Sequence, residues 1–358
     1  MTDASVGPTV KVLVVEDSPV ARDLVVHILG SDPDISVIGT AGNGEEAVEG
    51  VRRYRPDVIA MDVHMPKMTG LDATRIIMET CPTPIVLVSG SFMRDEVSAT
   101  FRALEAGALA LIPKPNGVGH PAYEQAARHL CETVKLMAEV KVVRRWPRRD
   151  RPPFGITIPE ARPIPDVGLE PGIVAIGAST GGTVALKAIF SELPKNLCVP
   201  ILVVQHIAVG FTQGFAEWLT QSSGVIVQVA RHGEYVQPGH AYVAADEHHM
   251  TVERGGRIAL SQHEPENGHR PSVSCLFRSV AAVYGRKAVG VLLSGMGKDG
   301  AAELKLMKEQ GALTIAQDKK SSVVHGMPGQ AILLDGATWV LSPEEIGATL
   351  GALRKSAQ

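Results

Sequence analysis

One stretch decides how the second half of this chain is interpreted: residues 172–190, which read GIVAIGASTGGTVALKAIF. An apolar run of strand length comes first, then a turn of small residues, then a segment of helical length. Such a turn either cradles the phosphates of a nucleotide or presents the Ser179 hydroxyl as a nucleophile. Residues elsewhere in the chain decide between these two interpretations.

The nucleotide interpretation meets only half of its requirements. A dinucleotide site requires glycine at three positions of the turn and an acidic residue at the end of the next strand. Gly177 and Gly182 fit the outer positions, but Ser179 occupies the middle one. The next apolar run, VPILVVQH, ends in Gln205 and His206 instead of an acid. The sequence therefore favours a G-x-S-x-G turn that presents a serine.

A nucleophilic serine needs a base to take its proton, and the base needs an acid to fix its tautomer. His206 ends the apolar run after that of Ser179, and Asp299 follows another such run in VLLSGMGKDGAAEL. Because the carboxyl ends of parallel strands meet at one edge of a sheet, we expect the three side chains there. Each also has an ordinary explanation, since most histidines are structural or exposed and Asp299 could cap the next helix.

The alternation of apolar runs and amphipathic segments extends in both directions from this stretch. Five runs precede it: KVLVVED, ISVIGTA, DVIAMDV, PIVLVSG and ALALIPK. After it come VPILVVQH, VIVQVA, HAYVAA, AVGVLLSG and ALTIAQD. Near-continuous Val, Ile and Leu is typical of strands buried on both faces. We therefore predict an α/β protein with two parallel sheets, each covered by helices, the second of them doubly wound.

A segment rich in proline and arginine separates the two sets of strands. It includes RRWPRRDRPPFGITIPEARPIPD, whose prolines sustain neither a helix nor a sheet ladder. Its arginines could contact an acidic partner, but a solvated, extended tether is the interpretation we prefer. The predicted organisation is a domain at 1–137, a linker at 138–170 and a domain at 171–358.

The composition excludes several classes of protein. A formal net charge of -3 and 4 % aromatic residues argue against a general nucleic-acid binder. The four cysteines have no paired or metal-like spacing, which suits a reducing compartment. No targeting segment is visible, and no apolar run reaches the roughly 18–20 residues of a membrane helix. We expect a cytoplasmic protein that neither binds nucleic acid nor inserts into a membrane.

Four histidines in the second domain form no recognisable metal site. They fall in segments that we predict to be loops, and their irregular spacing matches no zinc pattern. They are His248, His249, His263 and His269.

Polar residues mark the ends of the strand-like runs in the first domain. Glu16 and Asp17 end the first run, Asp62 the third, Ser89 the fourth and Lys114 the fifth. Three carboxylates at one sheet edge repel each other unless a cation lies among them, and oxygen ligands suit Mg²⁺. The lysine and the serine could then bind a phosphoryl group carried by one of the carboxylates.

With these residues and the motifs MDVHMPKMTG and IPKP, the first domain resembles the flavodoxin-like receiver domain of two-component response regulators. The resemblance implies that Asp62 is the phospho-acceptor and shares a Mg²⁺ ion with Glu16 and Asp17. It also implies that Ser89 and Lys114 sense the phosphoryl group.

The second domain carries a series of motifs: IGASTGGT, QH, PGHAYVA, HRPSV, GMGKDGA and GMP. With them, residues 171–341 resemble the catalytic domain of the chemotaxis protein-glutamate methylesterases, the CheB family, whose layout is receiver, linker and esterase. The resemblance implies Ser179 as nucleophile, His206 as general base and Asp299 as its orienting acid. The backbone N–H of Met296 matches the family's oxyanion-hole donor.

The family resemblance implies a function as well. Members hydrolyse glutamate γ-methyl esters on the cytoplasmic domain of methyl-accepting chemoreceptors and release methanol, and some also deamidate receptor glutamine. A chemotaxis histidine kinase is the implied phosphodonor, Mg²⁺ serves the receiver alone, and the esterase needs no cofactor. In the family the unphosphorylated receiver covers the esterase mouth, and phosphorylation loosens that packing.

Two residues depart from the family pattern: Leu111 stands where an aromatic switch residue is usual, and Ser274 stands where an aspartate is frequent. Two rival functions remain open at this point. One is a phosphorylated receptor-binding module whose esterase domain is inactive. The other is a transcription factor, for which the second domain offers no helix-turn-helix pattern.

Overall fold

The computed structural model describes residues 9–90, 94–121, 123–142, 171–195 and 197–353, with backbone alone for residues 94–98. The chain forms two compact units, Met1–Pro152 and Pro153–Gln358. The predicted linker, residues 138–170, lies outside the described residues from residue 143 onward. Its boundaries therefore stay a prediction.

Five βα repeats build the first unit. Its strands are β1 (Val10–Val15), β2 (Ile35–Ala41), β3 (Val58–Met61), β4 (Ile85–Ser89) and β5 (Ala110–Pro113). Its helices are α1 (Pro19–Gly30), α2 (Gly44–Tyr54), α3 (Gly70–Thr80), α4 (Arg94–Ala106) and α5 (Tyr123–Ala138). All pairings are parallel, in the order β2-β1-β3-β4-β5. This order is that of flavodoxin-like folds, so the predicted fold of the first unit is confirmed.

Local sequence explains where several of these helices begin. Ser18, Asn43 and Thr69 precede α1, α2 and α3, and each side chain accepts a hydrogen bond from a backbone N–H of the first turn. Such caps satisfy donors that the helix itself leaves unpaired. β3 and β4 are buried along their whole length, which explains why apolar and polar residues do not alternate in their sequences.

A seven-stranded parallel sheet forms the centre of the second unit. Its strands are β6 (Ile173–Ala178), β7 (Ile201–Gln205), β8 (Ile226–Val229), β9 (His240–Val243), β12 (Ala288–Leu292), β13 (Leu313–Gln317) and β14 (Trp339–Leu341). They lie in the order β14-β13-β12-β6-β7-β9-β8. The helices are α6 (Gly182–Ser191), α7 (Thr212–Ser223), α8 (Val273–Tyr284), α9 (Ala301–Glu309), α10 (Met327–Leu333) and α11 (Pro343–Gly351). The predicted doubly wound α/β fold is confirmed.

The middle of this sheet is the core of the second unit. All six residues of β6 are buried, and α8 packs Leu276, Phe277 and Val280 onto the cluster that contains Ile173 and Leu202. Full burial of each such side chain stabilises a fold by roughly 1.5–3 kcal/mol. The turn that carries Ser179 therefore directly follows the fully buried central strand of the sheet.

Two elements of the second unit were not predicted. An antiparallel hairpin joins β10 (His249–Glu253) to β11 (Arg257–Ser261), and β14 has only three residues. The hairpin is buried on one face, so its apolar residues alternate instead of forming the continuous runs on which the prediction relied. The loop setting predicted for His249 is therefore wrong, because this residue begins β10 and is buried. In the described parts of the chain, no helix combines the length and apolar character required to cross a bilayer.

Candidate active site and phosphorylation site

The second sheet reverses the direction of its strand order beside β6, which has β7 on one side and β12 on the other. Ligand sites of open parallel sheets lie at the carboxyl ends of the strands at such a point. Ser179 follows β6, His206 follows β7, and Asp299 lies between β12 and α9. The structure thus places all three predicted residues at the same edge of the sheet.

The backbone around Ser179 is held from two neighbouring strands. Its N–H donates to the carbonyl of Ser294 over 3.0 Å, and its carbonyl accepts from the N–H of Gly182 over 2.8 Å. The same carbonyl accepts from Nε2 of Gln205 over 2.9 Å. The residue is only 9 % exposed. The turn is therefore fixed on all sides before any substrate binds.

The glycines of this region are required by close packing within the protein. Gly181 has φ 79°, a conformation that favours glycine, and a Cβ there would lie 2.5 Å from Cβ of Val323. A Cβ on Gly295 would lie 2.7 Å from Cβ of Ser179. No phosphate is needed to explain these positions, which agrees with a turn that mounts a serine.

His206 and Asp299 form the acid–base pair of the candidate site. Nε2 of His206 lies 3.0 Å from Oδ2 of Asp299, and their side chains are 9 % and 1 % exposed. A carboxylate can only accept, so the proton between them belongs to Nε2 and the lone pair belongs to Nδ1. Nδ1 is buried and has no hydrogen-bond partner among the described residues. This nitrogen is the one available to take a proton, although it makes no bond to Ser179 here, as is common without substrate.

The Asp299 carboxylate sits at the start of α8. Its Oδ2 accepts from the N–H of Val273 over 2.7 Å in addition to His206. Its Oδ1 accepts from Oγ of Ser272 (2.8 Å), Nδ2 of Asn267 (2.9 Å) and the N–H of Ser274 (3.2 Å). Five donors therefore converge on one buried anion, and the positive end of the helix favours its charge.

These contacts set the protonation state of the acid. Burial by itself raises the pKa of the Asp299 carboxyl, but the hydrogen bond and charge of His206 and the hydrogen bonds of Asn267 and Ser272 outweigh burial when taken together. Together they hold the pKa of Asp299 well below its ordinary value. The residue is therefore an anion at every pH at which an esterase works.

Met296 lies in the loop after β12, directly after Gly295, whose backbone packs against Ser179. Its N–H makes no hydrogen bond to the described part of the chain, and the residue is 41 % exposed. The preceding residue is fixed, because Gly295 donates to the carbonyl of Val324 and accepts from the N–H of Met327. A free N–H on a fixed loop has the character of an oxyanion donor.

The structure adds three residues that the sequence did not single out as functional. Nε2 of Gln205 donates to the carbonyls of Ser179 (2.9 Å) and His206 (2.8 Å), and so joins the ends of β6 and β7. Asn267 donates to the acid, and the ring of His269 stacks on that of His206 with centroids 3.8 Å apart. The Asn-Gly pair at 267–268, which the prediction did not use, is a sequence signal that could have indicated a tight turn here.

The buried His249 is structural. Its Nε2 lies 3.0 Å from the carbonyl of Glu264, and its Nδ1 accepts from the N–H of Ser272 over 3.3 Å. Both ring nitrogens are thus engaged by the backbone, which leaves none for a metal.

Within the described residues, one group of side chains could share a metal ion, and it lies in the first unit. It consists of Glu16, Asp17 and Asp62, whose ligand atoms all lie within 4.8 Å of one another. Glu16 and Asp62 are buried and Asp17 is exposed. An all-oxygen set with one side open to water fits Mg²⁺, which retains several of its waters.

Among the described residues, Lys114 provides the cationic contact of this group, with Nζ 2.8 Å from both Oδ2 of Asp62 and Oε2 of Glu16. Burial lowers the pKa of a lysine, but the hydrogen bonds to Asp62 and Glu16 and the charges of these carboxylates together outweigh burial and raise the pKa of Lys114. Burial and the charge of Asp62 raise the pKa of Glu16 in spite of the lysine. The carboxylates are therefore crowded beyond what one lysine neutralises, and a divalent cation would relieve this.

The remaining residues of this site are Ser89 and Leu111. Oγ of Ser89 is buried and has no hydrogen-bond partner in the described part of the chain. Oδ1 of Asp62 accepts from the N–H of Val63 over 2.7 Å. Leu111 lies on β5 opposite Leu87 of β4. The structure thus contains a hydroxyl in need of an acceptor and an aliphatic residue at the position where receivers usually have an aromatic one.

Two family models match the chain: the response regulator receiver domain over residues 12–120 and the CheB methylesterase over residues 174–350. A protein of Nitrosospira multiformis named protein-glutamate methylesterase/protein-glutamine glutaminase is 57 % identical over 342 residues. The alignment covers 95 % of this chain and 96 % of that protein. The chain belongs to the CheB methylesterase family.

Other CheB proteins agree with this assignment. A Syntrophus aciditrophicus protein named protein-glutamate methylesterase/protein-glutamine glutaminase 1 is 54 % identical over 356 residues, which cover 97 % of this chain and 99 % of that one. The crystal structure of the Thermotoga maritima CheB methylesterase catalytic domain matches with a TM-score of 0.50 and 38 % identity. It covers 51 % of this chain and 99 % of that chain. The family predicted from the motifs is confirmed.

Ser274, the departure from the usual CheB motif, is part of the network around the acid. Its Oγ donates to Oε2 of Glu303 over 2.7 Å and accepts from the N–H of Gly300 and from Nδ2 of Asn267. A carboxylate is therefore still present near this position, but it is supplied by α9 and not by residue 274.

Proposed function

We propose that this protein is a phosphorylation-regulated serine esterase of chemosensory adaptation. Its substrates are glutamate γ-methyl esters on the cytoplasmic domain of methyl-accepting chemoreceptors, and its products are methanol and glutamate. The observation that carries the proposal is the 3.0 Å bond between His206 and Asp299 at the sheet edge that also bears Ser179. The names of the relatives support the substrate, and their second name supports hydrolysis of glutamine amides in the same site.

Acylation begins when Oγ of Ser179 attacks the ester carbonyl and Nδ1 of His206 takes its proton. Asp299 stabilises the imidazolium that forms, and the N–H of Met296 donates to the oxyanion. The intermediate then collapses, and the methoxy group takes the proton from His206 and leaves as methanol. An oxyanion donor of this kind contributes about 10²–10³-fold to turnover.

Deacylation repeats these steps with water. His206 takes a proton from the water that attacks the acyl carbonyl, then returns it to Ser179 as the ester bond to the enzyme breaks. The product is the free glutamate carboxylate. With a glutamine substrate, ammonia leaves at the first stage in place of methanol.

We infer that the receiver takes a phosphoryl group on Asp62 from a chemotaxis histidine kinase. Glu16, Asp17 and Asp62 would hold Mg²⁺, which when bound neutralises charge on the carboxylates and the phosphoryl oxygens. Lys114 is already within 2.8 Å of Asp62, and the unpaired Ser89 hydroxyl can donate to a phosphoryl oxygen. The esterase itself uses only protein groups.

Phosphorylation of Asp62 raises esterase turnover in this proposal. A receiver in the same chain has no part in ester hydrolysis, which supports a regulatory role. The phosphoryl group must favour the active state through differential interaction, and about 1.4 kcal/mol of difference changes the ratio of states tenfold. The receptor domain it acts on is cytoplasmic, so the enzyme works in the cytoplasm without entering the membrane or binding nucleic acid.

The test measures methanol release from methyl-esterified receptor membranes, with and without Mg²⁺ and a small phosphodonor such as acetyl phosphate. Ser179→Ala removes the nucleophile, and Ser191→Ala, at the far end of α6, is the matched control. We expect release from wild type and the control, none from Ser179→Ala, and stimulation by the phosphodonor. Ordinary activity in Ser179→Ala would eliminate the serine mechanism.

Two further outcomes separate the parts of the proposal. Folded wild type that binds receptor membranes without releasing methanol under any condition would be a receptor-binding module with an inactive esterase domain. Asp62→Ala should release methanol at the unstimulated rate and ignore the phosphodonor. Activity in this variant equal to that of fully stimulated wild type would contradict activation by phosphorylation.

A further inference from the structure

A two-residue turn lies against the acid–base pair. Glu266 and His269 exchange both backbone hydrogen bonds, at 3.1 and 3.0 Å. Between them Asn267 has φ 54° and Gly268 has φ 79°, so both central residues are left-handed. This geometry, with an Asn-Gly pair, is that of a tight hairpin turn with one well-defined conformation.

The two sides of this turn contact the two members of the pair. Nδ2 of Asn267 donates to Oδ1 of Asp299 over 2.9 Å. The imidazole of His269 stacks on that of His206, with centroids 3.8 Å apart and planes inclined by 10°. Asn267 and His269, two residues apart in the chain, therefore contact Asp299 and His206 respectively.

The turn is itself fastened to α8. The Glu266 carboxylate accepts from Nη1 of Arg278 over 3.2 Å and lies 3.0 Å from Sγ of Cys275. Arg278 also contacts Glu303 of α9. The position of the turn is thus fixed by the same helix whose first N–H groups bind Asp299.

We propose that His269 is a positioning residue for the general base. One hydrogen bond to Asp299 holds only Nε2 of His206, because Nδ1 has no partner among the described residues. A ring held at one atom can still tilt, and the stacked face of His269 removes that freedom. Nδ1 is thereby kept in the orientation from which it takes the proton of Ser179. This inference rests on the esterase function proposed above.

The size of the effect follows from the stack. Stacked aromatic pairs are worth about 0.5–1.5 kcal/mol beyond their buried area, which corresponds to about twofold to tenfold in the population of the oriented ring. The loss falls on turnover, because His269 acts through the base, so kcat decreases and KM stays the same.

The experiment compares His269→Phe, which keeps an aromatic face, with His269→Ala, which removes it. His240→Ala is the matched control. His240 begins β9, so it lies at the end of the strands opposite the candidate triad, and its ring centroid is 6.4 Å from that of Tyr242. Methanol release gives kcat and KM, and ¹⁵N NMR of the His206 ring gives its tautomer from the chemical shifts and its mobility from the line widths. We expect His269→Ala to lose about twofold to tenfold in kcat with unchanged KM, and His269→Phe to stay within about twofold of wild type.

The NMR measurement separates this inference from the proposed function. Asp299 should keep the His206 proton on Nε2 in all three proteins, whereas the His206 ring signals should be sharp in wild type and His269→Phe and broadened in His269→Ala, whose His206 ring is free to tilt. If wild type released no methanol, the proposed function would fail and the NMR comparison would still decide the positioning role. Wild-type kcat and an unchanged His206 spectrum in His269→Ala would overturn the inference. Equal losses in the Phe and Ala variants would also overturn it, because the imidazole would then act chemically and not as a stacked face.

Discussion

Replacing Asp299 with asparagine tests the candidate triad most directly, because the carboxylate accepts five hydrogen bonds. An amide offers one acceptor oxygen, and the better orientation keeps that oxygen toward the three donors on the Oδ1 side. The amide nitrogen then faces His206 and the N–H of Val273. Two separate losses follow from this arrangement.

The first loss is catalytic. His206 can satisfy the new amide N–H only by accepting with Nε2, and its proton then moves to Nδ1, the nitrogen that should take the proton of Ser179. The base is held in the wrong tautomer, a change that costs about 10⁴-fold in kcat when a triad aspartate becomes asparagine. This corresponds to roughly 5 kcal/mol of lost transition-state stabilisation.

The second loss is in stability. The N–H of Val273, 2.7 Å from Oδ2 in the wild type, is left buried without an acceptor. One such group costs about 1–3 kcal/mol in the free energy of unfolding. Urea denaturation followed by the fluorescence of Trp218 and Trp339, both in the second unit, measures this change.

Methanol release and urea denaturation together test the argument. Asp335→Asn is the control, since this aspartate is exposed and forms a surface ion pair with Lys308. We expect Asp335→Asn to behave as wild type in both assays. An Asp299→Asn enzyme with kcat within tenfold of wild type would refute the assignment of Asp299 as the orienting acid.

Three further predictions follow from the second unit. The pKa of Asp299 is lowered by folding, so its contribution to stability is complete above the ordinary aspartate pKa of about 3.9 and declines as the pH falls below it. The difference in unfolding free energy between wild type and Asp299→Asn should therefore shrink from pH 6 to pH 3. A difference that stays constant over this range would contradict the argument. Gly181→Ala should lower the free energy of unfolding by more than Gly255→Ala, because both glycines have φ near 80° but only the Cβ at 181 meets other atoms within 4 Å. The Gly255→Ala variant should lose about 1–2 kcal/mol from backbone strain alone. Equal losses in the two variants would refute the packing argument. Gln205→Leu removes the hydrogen bonds to the carbonyls of Ser179 and His206, so kcat should fall about tenfold at unchanged KM in the methanol assay. A wild-type kcat would exclude a positioning role for the Gln205 side chain.

The parts of the fold that could be predicted are those whose sequence pattern does not depend on distant contacts. Strands buried on both faces, such as β4 and β6, are continuous apolar runs and are visible in the sequence alone. The hairpin of β10 and β11 alternates because one face is buried, and the three residues of β14 are too few for any pattern. The Gly-Gly pair at 255–256 was a turn signal that the prediction did not use.

The candidate site divides in the same way. Ser179, His206 and Asp299 could be proposed because each follows an apolar run, and the ends of parallel strands share an edge. Two side-chain donors to Asp299, Asn267 and Ser272, and the ring stacked on His206 come from the segment before α8, which no rule of strand order places there. The tautomer of His206 likewise depends on which ring nitrogen meets the carboxylate, and only the three-dimensional structure gives that contact.

The order of strands in the second sheet has a consequence for how the protein is made. β6 and β7 are successive in the chain, but β12 pairs with β6 from the other side, and Asp299 follows His206 by 93 residues. A growing chain can pair its early strands before its later ones exist, whereas closing so long a loop is slow. Ser179 is therefore synthesised and can be positioned early, but Asp299 reaches His206 only after β12 has paired with β6. Only the completed domain can therefore hydrolyse esters. A nascent or truncated chain that ends before β12 contains Ser179 without Asp299, and so has no complete triad to activate the serine.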